Sequence, residues 1–381
     1  MDTPSLHIRA DRERLLAAIA AADAVVPTTS TKPIQTHLLL EAKDGRVEVT
    51  ASDSQVGMRA VVTGIEIPLA GNVVVSSRQM AMILKESSSP AVEMQVVASG
   101  DSFQLAIRLS DGDYALPIII GETLPPVSFF PADAKSISLA GKRFEHMLRQ
   151  TSFAMDKDRS SPVLSGLQIA ISAGEMCLAA TDGKVLAESI EKDASFVPPE
   201  GEIFQAVIPF STVQHLARIL GSGQPDRVQL AFAQKLVFAR LRLSGDLTVD
   251  LTSRLVEGSF PAYRMAISGS GTSVVTFDTP ALASAVRRVS LMITAANRAV
   301  VLRLEKDKAM LENLPGSGGN ARIPLPCQYS GNPVRLGVNA AYLADVLRVY
   351  GGERLAVELG RGLIMREPGA TYLVMPISLP S

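Results

Sequence analysis

The feature that most constrains the fold of this chain is a long sequence unit that occurs three times. In each copy a short apolar strand, at 6–8, 137–139 or 275–277, leads into an amphipathic helix. A later strand, at 73–75, 207–208 or 336–338, is followed by small polar residues that can cap a second helix. A period of about 130 residues is far longer than that of a solenoid, so each copy is predicted to be a domain.

The repeat predicts an α+β fold of three similar domains, each with two helices packed on antiparallel sheets. The predicted boundaries are 1–133, 134–266 and 267–381. A proline-rich stretch at 121–133 and a small-residue stretch at 268–272 are the predicted linkers.

Composition narrows the class of protein. The chain has 381 residues, 47% of them hydrophobic, which is ample for two or three cores. Its formal net charge of −1 does not by itself indicate a nucleic-acid binder. Cys177 and Cys327 are isolated, which argues against a disulfide scaffold or a metal site. With no signal segment and no membrane-length apolar run, the sequence predicts a cytoplasmic protein without metal or cofactor.

The residues do not indicate an enzyme. The four histidines have no spacing typical of a catalytic triad or a metal site, and no phosphate-binding glycine pattern occurs. Asp182, in the run Thr181–Gly183, could be a catalytic carboxylate at a strand end. Because Ser52 and Asp53 occupy the matching place in the first copy, a turn-forming aspartate is the better interpretation.

Basic side chains concentrate on helices and on the loops that follow them, whereas many acids lie in strands and turns. The basic residues of this set are Lys32, Arg78, Arg149, Lys157, Arg159, Arg218, Arg298 and Arg348. This distribution favours one positive face that could meet nucleic acid. Ordinary solvated helix surface is the alternative, and the first helix, with Asp11, Glu13 and Asp23, does not fit the pattern.

Several motifs together resemble the bacterial sliding clamp family, the beta subunit of DNA polymerase III. They are Thr151–Gly166, Ala180–Ala187, Leu255–Arg264 and Tyr372–Ile377, with Asn339 and Tyr342. The resemblance implies a homodimeric ring of six domains around double-stranded DNA, with the basic helices facing the hole. It implies a processivity factor without a catalytic site, whose partners are DNA polymerase III, the clamp loader and other proteins with a clamp-binding motif.

The resemblance also implies two protein-binding regions. A pocket for partner peptides would lie between the second and third domains, formed by Leu164, Thr181, Gly183, Lys184, Leu186, Pro261, Arg264, Asn339, Tyr342, Val374, Met375, Pro376 and Ile377. The dimer would close where the strand with Tyr114 and Leu116 meets the helix end with Leu291 and Met292, all expected to be exposed.

This chain departs from the family pattern at a few positions. Thr29 and Ser161 stand where the family often has arginine, and Lys184 and Val185 replace a basic or aromatic residue followed by arginine. These changes imply different DNA contacts and partner preferences. Two alternatives are a clamp paralogue with a specialised role, such as inhibitor resistance, and a hydrolase that uses Asp53 or Asp182.

Overall fold

The computed structural model describes residues 4–53, 55–233, 235–244, 246–269, 273–294, 298–314 and 319–379. The predicted linker at 268–272 therefore lies partly outside the described residues. Within them, one order of elements recurs three times: a strand and a helix, several strands, a second helix and a last group of strands. None of the described helices is both long and apolar enough to cross a membrane.

The first copy of the unit contains helices α1 (Arg12–Asp23) and α2 (Ser77–Glu86). Asp11 caps α1 and Ser76 caps α2, each accepting a hydrogen bond from a backbone N–H of the first turn. A 3-10 helix at Pro33–Thr36 precedes the second strand. The strands are β1 (His7–Asp11), β2 (His37–Lys43), β3 (Arg46–Ser52), β4 (Val56–Thr63), β5 (Glu66–Leu69), β6 (Gly71–Ser76), β7 (Ala91–Ser99), β8 (Ser102–Leu109) and β9 (Gly112–Ile119).

The second copy contains helices α3 (Gly141–Thr151) and α4 (Phe210–Gly223), and a 3-10 helix at Ser152–Ala154. Its strands are β10 (Ser136–Ala140), β11 (Leu167–Ser172), β12 (Glu175–Thr181), β13 (Val185–Lys192), β14 (Ile203–Ile208), β15 (Arg227–Ala233), β16 (Leu236–Arg242) and β17 (Leu247–Arg254). Ser165 and Gly166 donate backbone hydrogen bonds to Ser161 and Val163, so a turn precedes β11, which begins at Leu167.

The third copy follows a short helix α5 (Arg264–Ile267) and contains α6 (Thr279–Ser290) and α7 (Ala340–Val349). Asp278 and Asn339 cap these two long helices. The strands are β18 (Ser273–Asp278), β19 (Ala299–Glu305), β20 (Lys308–Asn313), β21 (Arg322–Pro326), β22 (Val334–Asn339), β23 (Arg354–Leu359), β24 (Leu363–Glu367), β25 (Ala370–Val374) and β26 (Pro376–Ile377). The last two strands are separated by the single residue Met375.

The described chain forms two compact units, Met1–Glu145 with Ser211–Leu255, and His146–Phe210 with Val256–Ser381. In the first unit one sheet of 13 described strands has the order β10-β15-β16-β17-β4-β3-β2-β6-β9-β8-β7-β1-β5. Its central pairing joins β17 to β4, with Leu251 opposite Met58. The buried carboxylate of Asp250 stabilises this junction, because it accepts two hydrogen bonds from Arg240 and one from Arg59.

The second unit contains two described sheets. An eight-stranded sheet has the order β14-β11-β12-β13-β25-β24-β23-β18, and a five-stranded sheet has the order β21-β20-β19-β22-β26. Strand β13, from the second copy of the repeat, pairs with β25, from the third. The predicted α+β class, with helices packed on antiparallel sheets in three repeated domains, is confirmed, whereas the domain boundaries stay a prediction.

Candidate partner-binding and DNA-binding sites

The turn between β12 and β13 is fixed by its own side chains. Oδ1 of Asp182 accepts hydrogen bonds from the backbone N–H groups of Lys184 and Val185, both at 2.8 Å. The Thr181 hydroxyl donates to the Val185 carbonyl at 2.7 Å and accepts from the Gly183 N–H at 3.0 Å. Gly183 has a φ of +84°, a left-handed conformation that glycine adopts without strain. The turn therefore presents Gly183 and Lys184 at the surface in one defined conformation.

Asp53 builds the same turn between β3 and β4. Its Oδ1 accepts from the N–H groups of Gln55 at 2.9 Å and Val56 at 2.6 Å. In both turns the aspartate N–H also donates to the carbonyl of the third residue on, Val56 or Val185. Two aspartates with one structural role confirm the turn-forming interpretation and disfavour a hydrolase that uses either of them.

The C-terminal segment passes beside this turn and then changes sheet. Val374 lies opposite Val185 in the eight-stranded sheet, and the Met375 N–H donates to the Lys184 carbonyl at 2.8 Å. Pro376 and Ile377 then pair with β22 of the five-stranded sheet. Met375 lies where the chain passes from one sheet to the other, and its side chain is 37% exposed. An apolar side chain at such a junction can contact an inserted peptide.

Helix α7 contributes a polar edge to the same place. The Tyr342 hydroxyl donates to Oδ2 of Asp182 at 2.6 Å, which ties the first turn of α7 to the β12–β13 turn. Burial and the neighbouring Asp182 carboxylate raise the pKa of Tyr342 above its ordinary value, so the phenol stays protonated and acts as the donor. Asn339 caps α7 by accepting from the Ala341 N–H at 2.9 Å.

The structure brings the turn, the C-terminal segment and the start of α7 together, but it places other predicted pocket residues differently. Leu186 is buried in a cluster of apolar residues with Tyr263, Ile267 and Leu373. Leu164 is half-buried in the turn before β11, where its carbonyl accepts from the Asp156 N–H at 3.0 Å. Pro261 and Arg264 line a separate cleft over β11, β12 and β14.

The eight basic residues predicted to face DNA are all exposed. In the first unit Lys32 precedes the 3-10 helix and Arg78 lies in the first turn of α2. Arg218 of α4 donates to the Ala24 carbonyl at 3.0 Å, which holds its guanidinium at the end of α1.

In the second unit, several of the predicted DNA-facing residues have intramolecular partners. Lys157 and Arg348 share the carboxylate of Asp345, at 3.4 Å and 2.7 Å. Arg149 contacts Nδ1 of His146 at 3.2 Å. Asp345 was missed by sequence reasoning, since its pairing with Lys157 spans distant parts of the chain. Exposed pairs such as these are weak and can exchange for phosphate contacts.

Asp156, a second residue that the sequence analysis missed, builds the loop that carries Lys157 and Arg159. Its carboxylate accepts from the N–H groups of Asp158 at 3.1 Å, Ser160 at 2.8 Å and Ser161 at 3.4 Å, and from the Ser160 hydroxyl at 2.6 Å. These hydrogen bonds lower the pKa of Asp156, which keeps it charged. An aspartate four and five residues before two serines was the available signal for such a turn.

The residues predicted for the dimer interface differ in exposure. Tyr114 and Met292 are partly exposed and Leu291 is largely exposed, as expected, but Leu116 is only 5% exposed and belongs to the core of its own chain. The expectation that all four are exposed is therefore wrong for Leu116. Leu116 lies on the same face of β9 as Tyr114, two residues earlier, but it is buried there whereas Tyr114 is exposed.

Among the described strands, none pairs with one edge of β9 over most of its length. The strand pairs with β8 from Gly112 to Pro117, whereas β6 pairs only with Ile118 and Ile119. Among the described residues no group of three or more His, Cys, Asp or Glu side chains could hold a metal ion.

Comparison with known proteins assigns the chain to a class. Residues 6–125, 138–262 and 266–378 match the models of the N-terminal, central and C-terminal domains of the DNA polymerase III beta subunit. These matches span nearly the whole chain in order. The protein belongs to the DNA polymerase III beta subunit family.

Individual relatives agree with this assignment. The beta sliding clamp of Pseudomonas aeruginosa is 25% identical over 381 residues, covering 98% of this chain and 100% of that protein. The beta sliding clamp of Streptomyces coelicolor is 27% identical over 387 residues, with the same coverage. Crystal structures of the DNA polymerase III beta subunits from P. aeruginosa and Thermotoga maritima share the fold, with TM-scores of 0.86 and 0.87 at 23% and 20% identity, each covering 98% of this chain and 100% of that chain.

Proposed function

We propose that this protein is a DNA sliding clamp, a processivity factor that encircles double-stranded DNA and has no catalytic site of its own. Two copies would form a ring of six domains, each chain contributing the repeats 1–133, 134–266 and 267–381. The observation that carries this proposal is the match of three successive clamp domains along the chain. A role in DNA replication would place the protein in the cytoplasm.

Contact with DNA would be electrostatic and independent of sequence. The exposed basic residues sit on helices and adjoining loops, while the chain as a whole has a net charge of −1. A local positive surface on a near-neutral protein attracts the phosphates of DNA electrostatically, without a tight contact at each basic residue. Because Lys157 and Arg348 pair with Asp345, their attraction for DNA phosphates is weaker still. Such loose contacts suit a protein that slides and is retained by topology.

Partner proteins would bind through short peptides at the site defined by Asp182, Tyr342 and Met375. Apolar surface at Met375 and a rigid polar edge at Asp182 and Tyr342 suit an extended peptide with an apolar anchor. DNA polymerase III, the clamp loader and other clamp-binding proteins are the proposed partners. The walls would be completed by the exposed residues Gly183, Lys184, Pro376 and Ile377, and Lys184 would tune partner preference.

Assembly of the ring would use the open edge of β9 and the end of α6. Tyr114 projects from that edge, and Leu291 and Met292 follow the last turn of α6. Association of two copies would cover both the open strand edge and the exposed apolar side chains. Leu116 is buried in the core of its own chain and would hold β9 in place.

Retention on DNA of different topology tests the clamp proposal. The protein is loaded by a clamp loader onto a nicked circular plasmid, and half of the sample is then linearised with a restriction enzyme. We expect the clamp to remain on circles through gel filtration and to be lost from linear DNA, because a closed ring that encircles DNA can leave it only over a free end. Blocking both ends of the linear DNA with bound protein should restore retention. Equal retention on circular and unblocked linear DNA would overturn the proposal.

A further inference from the structure

The loop 156–161, between α3 and β11, holds an arginine in a strained backbone conformation. Arg159 has a φ of +53°, in the left-handed region that a long side chain rarely adopts. The buried carboxylate of Asp156 accepts from the N–H groups of Asp158 and Ser160, which are the residues on either side of Arg159. Because both neighbours are fixed to one carboxylate, the loop imposes this conformation on Arg159. Residues held in such conformations are frequent at sites that bind ligands.

An aromatic ring lies beside the side chain of this arginine. The Cζ atom of Arg159 lies over the Phe210 ring, 5.3 Å from its centre. Within about 6 Å of an aromatic face, a guanidinium is attracted by the ring. Phe210 is the first residue of α4 and closely follows β14, in which the buried Ile208 lies opposite Leu167. The sheet therefore places the ring, which is half-buried and can hold Arg159 at the surface.

The contact with the ring leaves the hydrogen-bonding groups of Arg159 available. A guanidinium has five N–H donors, and an aromatic ring does not occupy them as a carboxylate would. Among the described residues no carboxylate forms an ion pair with Arg159, whereas Lys157 and Arg348 share the carboxylate of Asp345. A phosphate must compete with Asp345 for those two residues, but it can bind Arg159 directly through two parallel hydrogen bonds.

We propose that Arg159 is a preorganised phosphate contact of the DNA-binding surface and that Phe210 is the residue that positions it. This assignment rests on the proposed clamp function, because it gives both residues a role on the surface that faces DNA. A side chain that is already held in place loses less conformational freedom when it binds. The ring and the strained loop therefore strengthen one contact with the DNA backbone without adding charge and without reading the base sequence.

Binding of a short labelled DNA duplex to the full-length protein, measured by fluorescence anisotropy at several salt concentrations, tests the two roles separately. Arg159→Ala removes a phosphate contact, so the slope of log affinity against log salt should fall in magnitude by about 0.9. Phe210→Leu keeps the positive charge, so it should weaken binding about two- to fivefold with the slope unchanged. Phe210→Tyr keeps an aromatic face and should bind like the wild type.

Two controls separate positioning from a general effect on the fold or the charge. In the Arg159→Ala background, Phe210→Leu should cause no further loss of affinity, because the ring then has no guanidinium to hold. Arg361→Ala removes an equal charge from the exposed turn between β23 and β24 and should leave the slope unchanged.

Four results would overturn the proposed roles. They are an unchanged slope in Arg159→Ala, wild-type affinity in Phe210→Leu, binding by Phe210→Tyr as weak as that by Phe210→Leu, and an equal effect of Phe210→Leu with and without Arg159. None of these results would contradict the clamp proposal, because retention on circular DNA depends on ring closure and not on one phosphate contact. Loss of the wild type itself from circular DNA would refute the clamp proposal and, with it, the role assigned to Arg159.

Discussion

Replacing Met375 with alanine tests the partner pocket with little disturbance of the fold. Complete burial of a methionine side chain contributes about 1.5–3 kcal/mol. Since 37% of Met375 is exposed, that share of its surface is available to be covered by a peptide. Met375→Ala should then cost about 0.6–1.1 kcal/mol of binding free energy, roughly a three- to sixfold loss of affinity.

Titration calorimetry with a clamp-binding peptide that carries Leu and Phe anchors measures this loss. Val274→Ala is a suitable control. Val274 is also exposed, but it lies on β18, the edge strand of the eight-stranded sheet, three strands away from β25, which Met375 follows. We expect the control to bind like the wild type. The same affinity in Met375→Ala and the control would show that the peptide does not contact Met375 and that the pocket lies elsewhere.

Leu186→Ala is expected to behave differently from Met375→Ala. Leu186 is buried against Tyr263, Ile267 and Leu373, so its truncation leaves a cavity. The expected cost is about 2–5 kcal/mol of unfolding free energy. A lower melting temperature should therefore accompany any loss of peptide binding. Because the fold itself is weakened, the peptide affinity of Leu186→Ala does not by itself show that Leu186 contacts the peptide. A melting temperature equal to that of the wild type would refute the placement of Leu186 in this cluster.

Three further predictions concern the DNA-facing loop, the dimer and pH. Asp156→Ala should remove about 1–3 kcal/mol of local stability, seen as faster amide exchange at 158–161 without a comparable fall in melting temperature; unchanged exchange there would contradict it. Leu291→Asp combined with Met292→Asp should give monomers by sedimentation, because two charges would be buried without partners; a dimer would place the interface elsewhere. Hydrogen bonds from His7 and Arg9 lower the pKa of Glu93 from 4.5 to about 2, so its stabilising effect is complete above pH 4.5 and lost towards pH 2. The wild type should melt above Glu93→Gln at pH 7 and converge with it in acid, and a constant difference would refute this.

The helices and turns of this fold were predictable from local sequence. The caps at Ser76 and Asn339 and the matched turns at Asp53 and Asp182 follow from residues that are neighbours in the chain. The spacing of side chains along one helix, or one aspartate at the start of a turn, determines the local geometry from a few positions in the chain. The repeat then presents such local signals in more than one copy of the unit.

Strand partners and edges were not predictable in the same way. Strand β13 is buried on both faces for most of its length. The alternation of polar and apolar residues along the strand therefore does not indicate that β25 is its neighbour. The burial of Leu116 and the interruption at Met375 likewise depend on residues far away in sequence. For the candidate sites, the sequence predicted a turn at Asp182 and the family resemblance implied Tyr342, but their hydrogen bond, and the cleft lined by Pro261 and Arg264, depend on the packed sheet.

The pairing of β4 with β17 has a consequence for the protein during its synthesis. Strand β4 is complete at Thr63, but its partner begins at Leu247. At ordinary bacterial elongation rates the ribosome needs roughly 10–40 s to cross that interval. During this time the backbone N–H and C=O groups along one edge of β4, beside the apolar residues Met58 and Val62, have no strand partner. Such an edge can pair with another nascent chain and lead to aggregation. Slower translation of the middle of the message should therefore lower the yield of active protein, and chaperones that shield strand edges should raise it.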